Sequence, residues 1–188
     1  MKIILGSASK GRKEMLQEMG YEFEVMVSNI DEKAIRFDDP YQLTLALAFA
    51  KADALVPQIL EHAILITADQ VVGWNGKIRE KPESEEQARD YLRTYHLAPA
   101  ETVNGIAVTN TATGKRLSQN EASKVFFKPI PEEVIDEFLK ETNVFNHAGA
   151  FSITSPVLQP YIAHIEGTID SVIGLPKDLV RRFIGELE

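Results

Sequence analysis

Apolar and polar positions along this chain switch repeatedly between a period near two and a period near 3.6, so strands and helices alternate. The run Ile3-Ile4-Leu5 predicts a short buried strand. A turn of small and cationic residues follows, Gly6-Ser7-Ala8-Ser9-Lys10-Gly11-Arg12, and then a helical pattern with Ser9 as N-cap and Gly20 as its end. Residues 21–27 alternate and read as a strand. Residues 28–33 read as a loop that carries the adjacent carboxylates Asp31 and Glu32. Pro40 opens a helix to about Leu55, with Leu43, Leu47 and Ala50 on one face and Lys51 on the turn after Leu47. Residues 63–72 predict a second apolar strand with Asp69 near its end, and Asn75-Gly76 predicts a hairpin turn. Ser84-Glu85-Glu86-Gln87 has capping-box order and opens a helix through Tyr91 and Leu92.

Further on, residues 101–108 and 121–127 read as strands joined through the turn residues 110–114. Pro131 begins a helix with Val134, Ile135, Phe138 and Leu139 on its apolar side. Residues 146–151 are rich in small side chains that permit close backbone approach, and the period over 161–165 suits strand or helix equally. A last helix runs from Pro176 through Phe183 and Ile184. Strands interleaved with helices predict an α/β domain, and the hairpin makes its sheet mixed. With no repeat and no linker, residues 1–188 read as one domain.

Composition narrows the chemistry. A hydrophobic share of 44% and a charged share of 26% are those of an ordinary soluble globular protein. The net charge of -8 opposes a nucleic-acid or anionic-membrane surface, since both need a positive field. Cysteine is absent, which excludes disulfides, thiolate catalysis and Cys-based zinc sites, and His62, His96, His147 and His164 lack metal-ligand spacing. Neither a membrane span nor a signal-peptide pattern is present, so a cytoplasmic protein is expected.

The chemistry-bearing positions gather in the first half: Ser7, Ser9 and Arg12 at the first strand–helix turn, then Glu32, Lys51, Asp69 and Lys81. A strand, a small-residue turn and a helix N-terminus in that order make an anion site. An Asp near the end of an apolar strand lies where open α/β sheets place ligand chemistry. Lys51 in an apolar setting reads as a snorkelling residue or as a functional cation. Lys81 precedes a proline, so its backbone is extended. Two carboxylates with several cations suit phosphoryl chemistry on a nucleotide: carboxylates hold Mg²⁺ or Mn²⁺, cations neutralise phosphoryl charge, and one carboxylate orients the attacking water.

In these segments the chain resembles the Maf (septum formation protein) family of nucleotide pyrophosphatases. The segments are Leu5-Gly6-Ser7-Ala8-Ser9-Lys10-Gly11-Arg12, Ile30-Asp31-Glu32, Ala50-Lys51-Ala52, Ala68-Asp69-Gln70-Val71-Val72, Lys81-Pro82, Ala148-Gly149-Ala150-Phe151 and Val172-Ile173-Gly174-Leu175-Pro176. The resemblance implies an elongated, two-lobed ITPase/Maf-like α/β fold around a mixed sheet, often a homodimer. It also implies metal-dependent hydrolysis of a nucleoside triphosphate to a monophosphate and pyrophosphate, a house-cleaning of nucleotide pools. By position, Ser7, Ser9 and Arg12 would contact phosphates. Glu32 and Asp69 would bind Mg²⁺ or Mn²⁺ and activate water, while Lys51 and Lys81 would hold the polyphosphate.

Three departures bear on the substrate. Lys10-Gly11 replaces the family's Pro-Arg before Arg12, Gln70 replaces the threonine of the dTTP/UTP branch, and Ile153-Thr154-Ser155 replaces its Ile-Gln-Gly. Gln70 carries an amide donor and an acceptor, so it either reads a base edge or positions Asp69. The Asp-Gln pair points to 7-methyl-GTP, with UTP or CTP next. Trp74 and Tyr95 read as packing residues ahead of base-stacking ones. The alternative function is a non-catalytic nucleotide-binding regulator of cell division.

Overall fold

The computed structural model describes Met1–Glu188. A seven-stranded sheet runs in the order β2-β1-β3-β5-β6-β7, with β4 paired to β3 outside that path. The strands are β1 (Lys2–Leu5), β2 (Phe23–Val25), β3 (Ala63–Trp74), β4 (Lys77–Arg79), β5 (Ala100–Asn110), β6 (Arg116–Phe127) and β7 (Ile162–Glu166). The helices are α1 (Lys10–Glu18), α2 (Pro40–Leu55), α3 (Glu85–Thr94), α4 (Glu132–Glu141), α5 (Ile169–Ile173) and α6 (Lys177–Leu187). β1 pairs in parallel with β2 and β3, whereas β3/β4 and β6/β7 are antiparallel, so the sheet is mixed as expected. The chain forms two compact units. One contains Met1–Asp69, Asn104–Glu121 and Gly174–Glu188, the other Gln70–Val103 and Ala122–Ile173.

In the first unit β1 lies between two parallel neighbours, and its Ile3, Ile4 and Leu5 are all buried. The paired part of β3 is likewise apolar without alternation, the pattern of a strand covered on both faces. β2 is shorter than the alternation over 21–27 predicts. It stops at Val25 because β1, its only partner, ends at Leu5 opposite, and Val25 is already exposed. Ser9 caps α1 by accepting from the Arg12 N–H, and Asp39 caps α2 by accepting from the Tyr41 N–H, with Pro40 in the first helical position. The buried stripe of α2 is Leu43, Thr44, Leu47, Ala48, Lys51, Ala52 and Leu55. Ala50 lies at its edge, and Lys51 lies on the stripe itself.

In the second unit Asn75 and Gly76 both have positive φ, 48° and 73°, which gives the tight turn between β3 and β4. Ser84 caps α3 through the Gln87 N–H at 3.1 Å. The return bond of the capping box shifts by one residue: Gln87 Oε1 accepts from the N–H of Glu83 at 2.7 Å. Residues 161–165, ambiguous by period, mostly form β7, which pairs with β6 (Val125↔Ile165). The core holds the Tyr95, Phe127 and Phe151 rings at centroid distances of 5.3–5.4 Å, with Leu92, Ile135 and Phe138 fully buried around them.

Gly6 continues β1 into the turn that carries Ser7, with its N–H bonded to Ile66 O at 2.7 Å. A Cβ there would stand 2.6 Å from the Thr67 methyl and 2.9 Å from a Leu55 methyl. Gly185 of α6 has open space around the same position. Gly6→Ala is therefore expected to lose about 1–3 kcal/mol in urea titrations. Gly185→Ala should gain about 0.5–1 kcal/mol. Equal effects at the two sites would contradict the close approach at Gly6.

Candidate active site

Lys51 decides the character of the first unit. Its place on the buried stripe of α2 sends the ammonium toward the middle of β3, beyond the stretch paired with β1, where Nζ lies 2.6 Å from Asp69 Oδ1 and 3.1 Å from Glu32 Oε1. The side chains of Lys51 and Asp69 are only 8% and 11% exposed, and that of Glu32 is 53% exposed. The snorkelling reading of Lys51 is thereby excluded. Glu32 reaches the lysine from a 3-10 turn, Glu32–Ala34, which Asp31 caps by accepting from the Lys33 N–H. Asp69 is buried too, within the apolar run of β3.

Arg12 is the second buried cation. Its Nε donates to Gly174 O at 3.0 Å, and Nη1 donates to Ser7 Oγ at 3.1 Å and to Ala68 O at 2.9 Å. Burial lowers its pKa, and the charges of Asp69 and Glu32 act in the opposite direction. A guanidinium stays protonated under such a balance. Ser7 Oγ also accepts from the Ser9 N–H at 3.2 Å, so both its lone pairs are engaged and its hydroxyl proton is left to donate. Ser9 Oγ accepts from the Arg12 N–H as the α1 cap, which accounts for that residue structurally. Lys10 is 91% exposed and pairs with Glu14 on the helix surface at 3.6 Å.

Lys81 and Gln70 belong to the second unit. Lys81 is exposed, just past β4, and the residue that follows it, Pro82, is buried. Gln70 spends both amide N–H groups on backbone carbonyls of α5, Ser171 O at 3.1 Å and Val172 O at 3.0 Å. Both N–H donors of the Gln70 amide are thus engaged within the second unit. Trp74 and Tyr95 are packing residues, as expected: Trp74 Nε1 donates to Ala98 O, and the buried Tyr95 hydroxyl donates to Gly149 O. His147 lies in the small-residue segment 146–151. Burial, and secondarily the charge of Lys81, lower its pKa, which keeps it neutral near pH 7.

Glu32 and Asp69 converge on one cation position and offer oxygen donors alone. That is the set a hard divalent ion takes when substrate phosphates and water complete its shell. No group of three or more His, Cys, Asp or Glu side chains gathers into a metal cage. The two carboxylates fit Mg²⁺ or Mn²⁺ held jointly with a substrate.

A family model described as "Maf-like protein" matches residues 2–187. The chain belongs to the Maf-like family. Among relatives of this Maf-like protein, a 7-methyl-GTP pyrophosphatase of Dictyostelium discoideum is 41% identical over 192 residues, covering 98% of this chain and 96% of the relative. A dTTP/UTP pyrophosphatase of Clostridium novyi (strain NT) is 30% identical over 188 residues, covering 100% and 98%. A solved nucleoside-triphosphatase, dITP/XTP pyrophosphatase, from Mycobacterium abscessus aligns over 99% of this chain and 97% of its own, at 13% identity and a TM-score of 0.43. The last likeness is too loose to bear on the site.

The Lys51–Asp69 pair is a buried pair whose partners depend on each other. Lys51→Met is expected to lose about 3 kcal/mol of stability by urea titration, because it strands Asp69 beside Glu32. The double variant Lys51→Met/Asp69→Leu should recover most of that loss. A single-variant loss below about 1 kcal/mol, the size of an exposed pair, would contradict the buried geometry.

Proposed function

We propose that this Maf-like protein is a nucleoside triphosphate pyrophosphatase that releases a nucleoside monophosphate and pyrophosphate. The observation that carries this reading is the Lys51 ammonium buried between Asp69 and Glu32, with the Arg12 guanidinium buried near the same carboxylates. Two cations and two carboxylates nearly cancel in the free protein. A polyanion can then dock at this acidic chain only by taking over the cations and bringing a counter-cation of its own. In our reading Glu32 and Asp69 hold Mg²⁺ or Mn²⁺. The ion, when bound, supplies charge neutralisation for the phosphates and a more acidic water.

The protein groups do the rest. Asp69, released from Lys51 as the polyphosphate docks, orients the attacking water toward the α-phosphorus and accepts its proton. The Ser7 hydroxyl donates to a phosphate oxygen. Arg12 reaches a phosphate only with Nη2, since Nε and both protons of Nη1 are spent on Gly174, Ser7 and Ala68. Lys51 and Lys81 neutralise charge on the leaving pyrophosphate. Ser9 acts through the α1 N-terminus that it caps. Gln70 serves substrate recognition through Oε1, an acceptor suited to the N–H edge of a guanine-type base. Together with the name of the Dictyostelium relative, this favours 7-methyl-GTP as substrate.

The same proposal takes residues 1–188 as one functional domain, because the family match spans both units. No helix is long and apolar enough to cross a membrane, and the charge of -8 disfavours nucleic acid as a partner. We place the protein in the cytoplasm, acting on free nucleotides as a homodimer.

The test is hydrolysis of 7-methyl-GTP, GTP, UTP, CTP and dTTP in ¹⁸O-water with Mg²⁺ or Mn²⁺. The expected result is pyrophosphate release abolished by EDTA, label in the monophosphate and the highest kcat/KM for 7-methyl-GTP. Asp69→Asn should lower kcat about 10²–10⁴-fold. Label in free orthophosphate, or full turnover in excess chelator, would overturn the reaction. A dTTP preference would overturn the base assignment alone. Saturable nucleotide binding without turnover would favour the regulator instead.

A further inference from the structure

Arg79 is buried in the second unit with 7% of its surface exposed, and none of its partners is a carboxylate. Its guanidinium carbon lies 3.7 Å from the centroid of Trp74, 4.6 Å from that of Tyr91 and 4.7 Å from that of Tyr95. Nη1 donates to Tyr91 O at 3.1 Å and Nη2 to Thr94 Oγ1 at 2.8 Å, both at the C-terminal end of α3, where a cation is favoured. Three aromatic faces and a helix end thus solvate the charge. Holding α3 in place does not by itself call for a desolvated cation, since apolar packing does that without the desolvation cost.

The assembly continues toward Lys81. Tyr95, one wall of the cage, donates its hydroxyl to Gly149 O at 2.7 Å, and Gly149 N–H donates to Glu80 O at 3.0 Å. Burial raises the Tyr95 pKa, which keeps that hydroxyl a donor. The segment that closes the circuit is conformationally demanding. Gly149 has φ 68°, and a Cβ on it would stand 2.6 Å from the Tyr95 hydroxyl and 2.7 Å from a Val72 methyl. Ala150, fully buried, is held at φ 60°, which an alanine adopts only when its surroundings impose it. Residue 80 is therefore fixed from both sides, through the peptide from Arg79 and through the hydrogen bond from Gly149. Lys81 is next in the chain.

We propose that Arg79 is a positioning residue for Lys81: the cage of Trp74, Tyr91 and Tyr95, closed through Gly149 onto Glu80, fixes the backbone from which the Lys81 ammonium projects. The inference rests on the reading of Lys81 as a phosphate contact.

The test is a double-mutant cycle. kcat and KM for pyrophosphate release are measured for Tyr95→Phe, Arg79→Lys and Arg79→Met, each alone and combined with Lys81→Ala, on protein shown to be folded by thermal melts. Tyr95→Phe keeps the ring and removes the hydroxyl, which bonds Gly149 O and also faces Arg79, so it gives a result even where Arg79→Met fails to fold. The expected result is a kcat lower by about tenfold to a hundredfold in Tyr95→Phe and Arg79→Met, with KM little changed. Arg79→Lys should recover part of the rate. In the Lys81→Ala background the same changes should lower kcat by less than about twofold. Equal losses in both backgrounds, or melting temperatures that fall while kcat holds, would overturn the inference. Near-normal turnover of Lys81→Ala alone would remove Lys81 from the site, and the inference with it, before any Arg79 variant is read.

Discussion

A lysine ammonium held out of water between two carboxylates is costly to build unless its partners are well placed. The Lys51–Asp69–Glu32 cluster meets that requirement at 2.6 and 3.1 Å. Such a pair is weak evidence for stability, because apolar residues of similar size fill the same space without desolvating charge. It is better evidence for a site. Attraction between unit charges at 4 Å is about 4 kcal/mol at an effective dielectric near 20, and about a quarter of that in water. The protein keeps Arg12, Lys51 and Asp69 buried, where any charge brought beside them acts more strongly than it would in water.

The order of the strands makes this placement possible. β1 and β3 run parallel in direct register, Leu5 opposite Ile66, so both leave the paired stretch at the same end. One residue beyond Gly6 stands Ser7, and three beyond Ile66 stands Asp69. Loops and helix N-termini at the carboxyl ends of parallel strands are where α/β sheets gather ligands. The Arg12 guanidinium ties that end together by bonding Ser7, Ala68 and Gly174 from three separate stretches of chain.

Much of this was legible in the sequence because local chemistry dictates it. The caps at Ser9 and Ser84, the Asn75-Gly76 turn and the uninterrupted apolar strands each follow from residue types at fixed spacing. Lys51 was legible as an oddity, a charge in an apolar helix, yet only the buried stripe of α2 shows that it points inward. The length of β2 was not legible, since it depends on where its neighbour stops. Gln70 looked free to read a base or to hold Asp69. Nothing local shows that its amide N–H groups bond α5, a helix a hundred residues away in the chain. Arg79 gave no local signal at all, because the rings that solvate it come from β3, from α3 and from the residue just after α3. Long-range partners of this kind leave no period to detect.

In the proposed function, Asp69 and Glu32, released from Lys51 as a polyphosphate arrives, hold a divalent ion jointly with that substrate. Mn²⁺ titration followed by electron paramagnetic resonance, with and without a nucleotide analogue that cannot be cleaved between its α and β phosphates, tests it most directly. The free protein is expected to bind Mn²⁺ weakly, the analogue to tighten binding to one ion per chain, and Asp69→Asn to abolish the tightening. Equally tight binding in Asp69→Asn, or no effect of the analogue on the wild-type protein, would contradict it.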